Sequence, residues 1–120
     1  MQYVLLIYGN ESTWNELSEA EQARIRGETR QFVEELHASG KMRGGNPLQH
    51  VATATTVRFK GGERLTMDGP FAETKEQLGG YFVIEVADLD EAIAIVAKMP
   101  DCSPHTAVEI RPVLDVGRRV

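Results

Sequence analysis

The sequence predicts an α+β domain in which one antiparallel sheet has two helices on one of its faces. The first observation is a continuously apolar run at residues 3–8, YVLLIY, which is typical of a strand covered on both faces. The second is a pair of segments, near residues 15–38 and 88–99, whose apolar side chains recur at helical spacing, with strand-like runs between them. A chain of 120 residues is expected to form a single domain over residues 1–120.

In the first half of the chain, the strand at 3–8 leads through a loop at 9–14 into one long predicted helix at 15–38. The apolar stripe of this helix consists of Leu17, Ile25, Thr29, Phe32, Val33 and Leu36. Gly40 follows the last turn, where glycine is favoured as a helix terminator. The sequence GGNP at 44–47 predicts a loop, and the Thr- and Val-rich run at 51–59 predicts a strand.

In the second half, Gly61 and Gly62 favour a tight turn between the strand at 51–59 and a partner strand at 63–67, because glycine readily adopts positive φ. Residues 81–86 predict a further strand. Asp88 is a predicted N-cap, with Glu91 three residues later, for a helix through residue 99. The last strand is predicted at 106–113, and the tail from about residue 114 is loosely specified. Two strand–helix–strand units with a hairpin between them predict a ferredoxin-like fold.

The composition argues against several functions. The formal net charge is −5, the pI is near 5.2 and there is no basic run, so nucleic acid is not an expected partner. The single cysteine, Cys102, cannot form an intrachain disulfide, which favours a cytoplasmic protein. The apolar N-terminal run is too short to span a bilayer and has no basic lead, so neither a membrane anchor nor a signal peptide is expected.

No cofactor or metal is expected from the motifs. A phosphate loop, a dinucleotide fingerprint and a nucleophile elbow are all absent from the sequence. Cys102 and His105 have a metal-like spacing, but a zinc site needs further ligands and no second pair occurs. His37 is interpreted as a cation at a helix end and His50 as a loop residue.

Two helices leave one face of the predicted sheet uncovered. The all-apolar rows, assigned to the helix side, are Phe82, Ile84 and Val86 in one strand and Val108 and Ile110 in another. The opposite rows mix apolar and charged side chains: Tyr81, Val83, Glu85, Glu109, Arg111 and Val113. A second subunit could cover the apolar part and leave a cleft lined by the charges, which predicts a homodimer that binds a small molecule there. The alternative is a half-solvated sheet with cross-strand ion pairs.

The segment DGPFAETKEQLGGY, residues 68–81, combines a carboxylate with special backbone chemistry. Asp68 is interpreted either as a turn residue that accepts backbone hydrogen bonds or as a general base at a sheet edge. Lys75 and Arg111 are candidate binders of an anionic ligand, and we expect one of them to lie near Asp68 at the rim of the dimer cleft. Tyr81, Glu85 and Glu109 are the other candidate ligand-binding residues.

This segment, together with the opening MQYVLLIYG, closely resembles the DGPF-type proteins of the YCII-related (YciI-like) family, as do VADLDEA and VEIRPV. The resemblance extends from residue 1 to about residue 113. It implies a ferredoxin-like fold that dimerises as an α+β barrel, with a cleft in which an aspartate, here Asp68, is suspected to act. In shorter relatives a His–Asp pair is the proposed catalytic feature, but none of His37, His50 and His105 can be aligned with that histidine.

The resemblance leaves two classes of function open. Many family members are bacterial proteins without an assigned function, and at least some relatives perform lyase chemistry on chlorinated aromatics. The first hypothesis is therefore a lyase- or isomerase-like enzyme in which Asp68 moves a proton. The second is a non-catalytic dimer that binds a ligand or a protein, such as a regulatory accessory of an extracytoplasmic-function sigma factor, since some members are encoded beside such factors.

Overall fold

A computed structural model describes residues 1–100 and 106–117. Within these residues the chain forms a four-stranded antiparallel sheet, a separate two-stranded sheet and helices. The four-stranded sheet has the spatial order β2-β5-β1-β6, and its strands are β1 Gln2–Gly9, β2 Met42–Pro47, β5 Gln77–Glu85 and β6 Ala107–Pro112. With the two-stranded sheet set aside, this order is compatible with the predicted ferredoxin-like fold.

The core lies between one face of this sheet and two helices, α2 Glu19–Ala38 and α3 Leu89–Val96. The buried cluster consists of Tyr3, Leu5, Phe32, Leu36, Ile84, Val86, Ala92 and Ile95. Phe82, Val108 and Ile110 pack against this cluster. The assignment of the all-apolar rows to the helix side is therefore confirmed, and both helices cover the same face.

The region predicted to be a loop at 9–14 followed by one long helix at 15–38 contains two helices. A short helix, α1 Glu11–Glu16, begins after the N-cap Asn10, whose side-chain oxygen accepts hydrogen bonds from the amides of residues 12 and 13. Leu17 then adopts an extended conformation, and Ser18 caps α2 by accepting from the amide of Glu21. The prediction of a loop at 9–14 was wrong because the capping signal of Asn10 was not recognised.

The predicted loop at 44–47 is part of β2. Its strand pairs with β5 from Met42↔Ile84 to Pro47↔Gly80, with an irregularity between residues 42 and 44. At Gly45 a Cβ would lie 2.5 Å from the Phe82 ring and 2.7 Å from the carbonyl oxygen of Tyr81. Glycine is thus required here by the close approach of two strands rather than by a turn, which is why its presence misled the sequence-based prediction.

The predicted hairpin exists but does not join the main sheet. Its strands are β3 Thr55–Lys60 and β4 Glu63–Asp68, and they form a two-stranded sheet of their own, here called the arm. Gly61 and Gly62 have φ values of 58° and 82°, which confirms the predicted turn. The start of the predicted strand at 51–59 is instead a 3₁₀ turn, Val51–Thr53. The strands that complete the four-stranded sheet are therefore β2 and β5.

The remaining predicted elements occur with shifted ends. β5 begins at Gln77, so the Gly79–Gly80 pair lies within a strand, where the register with β1 shifts between residues 7 and 8. Asp88 caps α3 by accepting from the amide of Glu91, as predicted. The helix ends at Val96 rather than at residue 99. Cys102 and His105 lie outside the described residues.

Candidate functional site

The best-formed polar site begins at Glu11, the first residue of α1, where the chain leaves the end of β1. The side chain of Glu11 is 25% exposed. Its Oε2 accepts a hydrogen bond from the amide of Val51 at 3.0 Å, and its Oε1 lies 3.0 Å from Nε2 of His50. The amide of Glu11 donates to the side-chain oxygen of Gln77 at 3.1 Å. The carboxylate is thus held between α1, the 3₁₀ turn and β5.

His50 is fixed by contacts at both ring nitrogens. Its Nδ1 accepts a hydrogen bond from the amide of Ala52 at 3.0 Å, so the lone pair of Nδ1 is occupied. The neutral ring must then have its proton on Nε2, from which it donates to Glu11. In this arrangement both ring nitrogens of His50 are engaged, and the ring holds the Glu11 carboxylate in a fixed orientation.

Glu11 and His50 line a cleft of about 520 Å³ at this end of the sheet. Its apolar wall is formed by Ile7, Trp14, Leu17, Pro47 and Leu48. Arg26 also lines it, with its guanidinium carbon 5.3 Å from the centroid of the Trp14 ring. A mainly apolar cleft with a few convergent polar groups is the usual form of a small-molecule site.

The segment at 68–81 contributes to a neighbouring cleft of about 590 Å³. Pro70, Ala72 and Thr74 line this second cleft, which also contains Tyr8, Leu48, His50 and Gln77 from the first. Gly69 has a φ of 97°, and its amide donates to the carbonyl of Ala54 at 2.7 Å. The turn after the aspartate thus places the following loop beside His50, although Asp68 itself does not line either cleft.

Asp68 ends β4, opposite Thr55, and its side chain is exposed. Within residues 1–100 and 106–117 its carboxylate has neither a hydrogen bond nor an ion pair. The turn hydrogen bonds that surround it involve the backbone of Gly69, which also accepts from the hydroxyl of Thr56 at 2.7 Å. Asp68 is therefore not engaged with its own turn, and the interpretation of its side chain as a turn acceptor does not apply here.

The two basic residues expected beside Asp68 do not pair with it in the described part of the single chain. Arg111 lies on β6 of the four-stranded sheet and donates from Nε to Glu109 Oε2 at 2.8 Å, with a second contact from its NH2 group. Lys75 is exposed in the loop before β5 and has no ion pair with a described residue. A contact between Asp68 and a basic residue of a second subunit stays a prediction.

Tyr81 and Glu85 lie on the sheet face that the helices leave open. The hydroxyl of Tyr81 accepts from the side-chain amide of Asn46 at 3.2 Å. Oε2 of Glu85 accepts from the amino group of Met1 at 2.6 Å, and this contact lowers the pKa of Glu85. The structure brings Tyr81, Glu85, Glu109 and Arg111 to one face, as the row assignment predicted, and leaves Asp68 and Lys75 off it.

Glu11 was not considered in the sequence analysis, and His50 was interpreted as a loop residue. The available signal was Asn10, an N-cap residue directly after an apolar strand, which places a first-turn carboxylate at the end of that strand. The contact with His50 joins residues far apart in the chain, and no local pattern predicts it. Among the residues described, no cluster of three or more His, Cys, Asp or Glu side chains could hold a metal, and no helix could cross a bilayer.

The fold and the cleft define a small α+β domain with a carboxylate-bearing site at one end of a four-stranded antiparallel sheet. A family model described as the YCII-related domain matches residues 1–116. An uncharacterized protein of Rhizobium meliloti (strain 1021), R00369, is 36% identical over 113 residues, which are 93% of this chain and 91% of that protein. The chain therefore belongs to the YCII-related family, and the predicted family resemblance is confirmed.

Proposed function

We propose that the protein is a small-molecule enzyme of the proton-transfer class, a lyase or an isomerase, in which Glu11 acts on the ligand. The observation that supports this proposal is a largely buried carboxylate, held by the His50 ring and the Val51 amide at the wall of a mainly apolar cleft. A proton-transfer residue needs a fixed position within hydrogen-bond distance of its substrate. Glu11 has that fixed position through contacts to two separate elements.

The free lone pairs of Glu11 set the chemistry. A carboxylate has about four lone-pair sites, and the two donors occupy one on each oxygen. The remaining sites accept a hydrogen bond or a proton from a ligand. An isomerase would return this proton to another atom of the ligand, whereas a lyase would expel a leaving group with the electron pair left by the broken bond.

The walls of the cleft indicate the kind of ligand. Trp14, Leu17 and Leu48 offer an apolar surface for the body of a small molecule, and Glu11 offers an acceptor for one donor group. Arg26 has no ion pair with a described residue, so its guanidinium is available to an anionic group on the same ligand. The ligand proposed is a small, mainly apolar molecule with a hydrogen-bond donor and an anionic substituent.

The proposal includes a homodimer through the open face of the four-stranded sheet. Val4, Leu6, Tyr81 and Val83 lie on this face, are only partly buried, and have no helix packed over them within the described chain. An apolar sheet face of this kind is a typical subunit interface. In such a dimer Asp68 is the second candidate carboxylate, because its unpaired side chain is free to meet a ligand or a basic residue of the partner.

The test is a thermal-shift screen of small carboxylate-containing metabolites, followed by nuclear magnetic resonance to detect turnover of any compound that binds. We expect Glu11→Gln to abolish turnover and to weaken binding at least tenfold, with an unchanged circular dichroism spectrum. Glu16→Gln is the matched control, because Glu16 is exposed on the same helix and does not line the cleft. Full turnover by Glu11→Gln would contradict the assignment of Glu11.

The second hypothesis, a non-catalytic dimer, makes a different prediction in the same screen. It predicts a compound that binds in the cleft and is recovered unchanged after long incubation. The bound form would then act through its surface, for example as a regulatory accessory of an extracytoplasmic-function sigma factor. Turnover by the wild-type protein that depends on Glu11 would exclude this hypothesis.

A further inference from the structure

The arm, β3 and β4, is exposed on both of its faces. All six residues of β4 and all of β3 except Thr56 are exposed, and they include four large apolar side chains: Val57, Phe59, Leu65 and Met67. A two-stranded sheet without a covering layer is marginally stable in water. Exposed apolar side chains in such a cluster mark a contact surface.

The molecule is more extended than a compact domain of its length, and the arm is long. The radius of gyration is 16.5 Å, whereas a compact chain of this length has a value of about 14 Å. Six residues per strand give the arm a length of about 20 Å. The outer strands of a four-stranded sheet are about 14 Å apart, so the arm is long enough to cross such a sheet.

One face of the arm makes fewer contacts with its own chain than the other face does. Thr55, Val57 and Phe59 share a face with Arg64, Thr66 and Asp68, by the register of the strands. The opposite face contacts its own chain, because Arg58 stacks on the Phe71 ring at 5.3 Å and Thr56 bonds to Gly69. The free face is therefore the Phe59 face, on which Phe59 is 76% exposed.

We infer that the Phe59 face of the arm packs on the open sheet face of a second copy of this chain. The inference rests on the homodimer proposed above and goes beyond it, since it assigns the arm to the interface. The apolar side chains match, with Phe59 and Val57 on one side and Leu6 and Val83 on the other. Docking would bring Asp68, which shares the Phe59 face, to the open face of the partner, which carries Arg111.

Charge also favours a second copy as the partner. The Phe59 face of the arm carries one cation and one anion, Arg64 and Asp68, and the Asp68 carboxylate has no ion pair within the described part of its own chain. The open face of the sheet carries Arg111 beside Glu85 and Glu109, so it offers a cation to Asp68 and carboxylates to Arg64.

The test compares dimer dissociation constants, measured by sedimentation velocity, for three serine variants. Phe59→Ser tests the arm, Val83→Ser tests the open face, and Ile93→Ser is the control, because Ile93 is half exposed on α3, away from both surfaces. We expect at least a tenfold weaker dimer for the first two and no change for the control. A dimer weakened by Val83→Ser alone would overturn the arm contact and keep the homodimer, whereas a monomeric wild-type protein would overturn both.

A photo-crosslinker placed at position 59 identifies the surface that the arm contacts. Mixing isotope-labelled and unlabelled chains separates crosslinks between copies from crosslinks within one chain. Crosslinks between copies that map to the open-face residues of β1 or β5 are the expected result. Crosslinks to the arm of the partner, to the same chain or to an unrelated protein would each overturn the inference.

Discussion

The four-stranded sheet and the arm are both antiparallel, yet their side chains lie in opposite environments. In β1, Tyr3 and Leu5 are buried beneath α2 and α3, and Leu5 has no exposed surface. In β3, Val57 and Phe59 occupy a similar alternating row, but no layer of the described chain covers them. Strand alternation therefore specifies which residues share a face, while burial depends on a covering element that the strand does not itself encode.

The largest expected effect separates these two regions directly. Leu5→Ala should lower the free energy of unfolding by about 2–5 kcal/mol, because it opens a cavity in a packed core. This loss should not depend on protein concentration. Phe59→Ala should change the stability of the monomer by less than about 0.5 kcal/mol, as is usual at an exposed position. Urea denaturation at several protein concentrations measures both, and a large loss for Phe59→Ala in dilute protein would show that the arm packs within its own chain.

The second effect tests the contact between β2 and β5. Gly45→Ala should lower the free energy of unfolding by about 1–3 kcal/mol, because its Cβ would overlap the Phe82 ring and the Tyr81 carbonyl. Gly44→Ala is the control one residue away, where a Cβ meets no atom within 4 Å. Thermal denaturation of both variants distinguishes the close approach from a general effect of glycine. Equal stability of the two variants would contradict a close approach of the two strands at Gly45.

The fold was largely predictable wherever local patterns determine structure. Patterns among residues close together in the sequence predicted three features: the side-chain rows of β5 and β6, the Asp88 cap and the Gly61–Gly62 turn. The prediction failed at β2, because the glycines that allow close strand contact are also typical of loops. It failed at the arm, because a hairpin signal predicts strand pairing but not which sheet the hairpin joins.

The site was less predictable for the same physical reason. Glu11 and His50 meet only because the end of β1 and the 3₁₀ turn pack together, and neither residue lies in a recognisable motif. The conspicuous segment at 68–81 correctly indicated a turn at Gly69, whereas the position of Pro70 in a cleft wall was not predicted. The position of the Asp68 side chain depends on the arm, whose placement no local pattern predicts.

A smaller expected effect is a pH dependence of the free energy of unfolding, and it arises outside the arm. The amide of Ala87 and then the amino group of Lys41 hold the carboxylate of Glu91, and they lower its pKa in the folded chain. A lowered pKa contributes stability that is present above the pKa of the unfolded state, about 4.3 for Glu, and is lost as the pH falls through the folded value. Glu91→Gln should therefore be less stable than wild type at pH 7, with a difference that narrows below about pH 4.

The control for this comparison is Glu34→Gln, since Glu34 is exposed on α2 and has no ion pair with a described residue. Denaturation curves of the three proteins at pH 7 and at pH 3.5 provide the measurement. A stability difference between wild type and Glu91→Gln that is unchanged or larger in acid would contradict the assigned direction of the pKa. The result does not bear on the arm, because Glu91 lies in α3 and its partners Lys41 and Ala87 lie outside β3 and β4.

The smallest expected effect on stability is at Asp68. Its carboxylate is exposed and has no partner in the described part of its own chain, so Asp68→Asn should change the free energy of unfolding by less than about 0.5 kcal/mol. If Asp68 acts at the site of a partner subunit, the same substitution should instead weaken ligand turnover or binding. Thermal denaturation combined with the ligand screen measures both quantities. An exposed side chain without a partner in the described part of its own chain can matter only through another molecule, so a large loss of stability with unchanged binding per folded molecule would contradict this interpretation and show that Asp68 serves the turn.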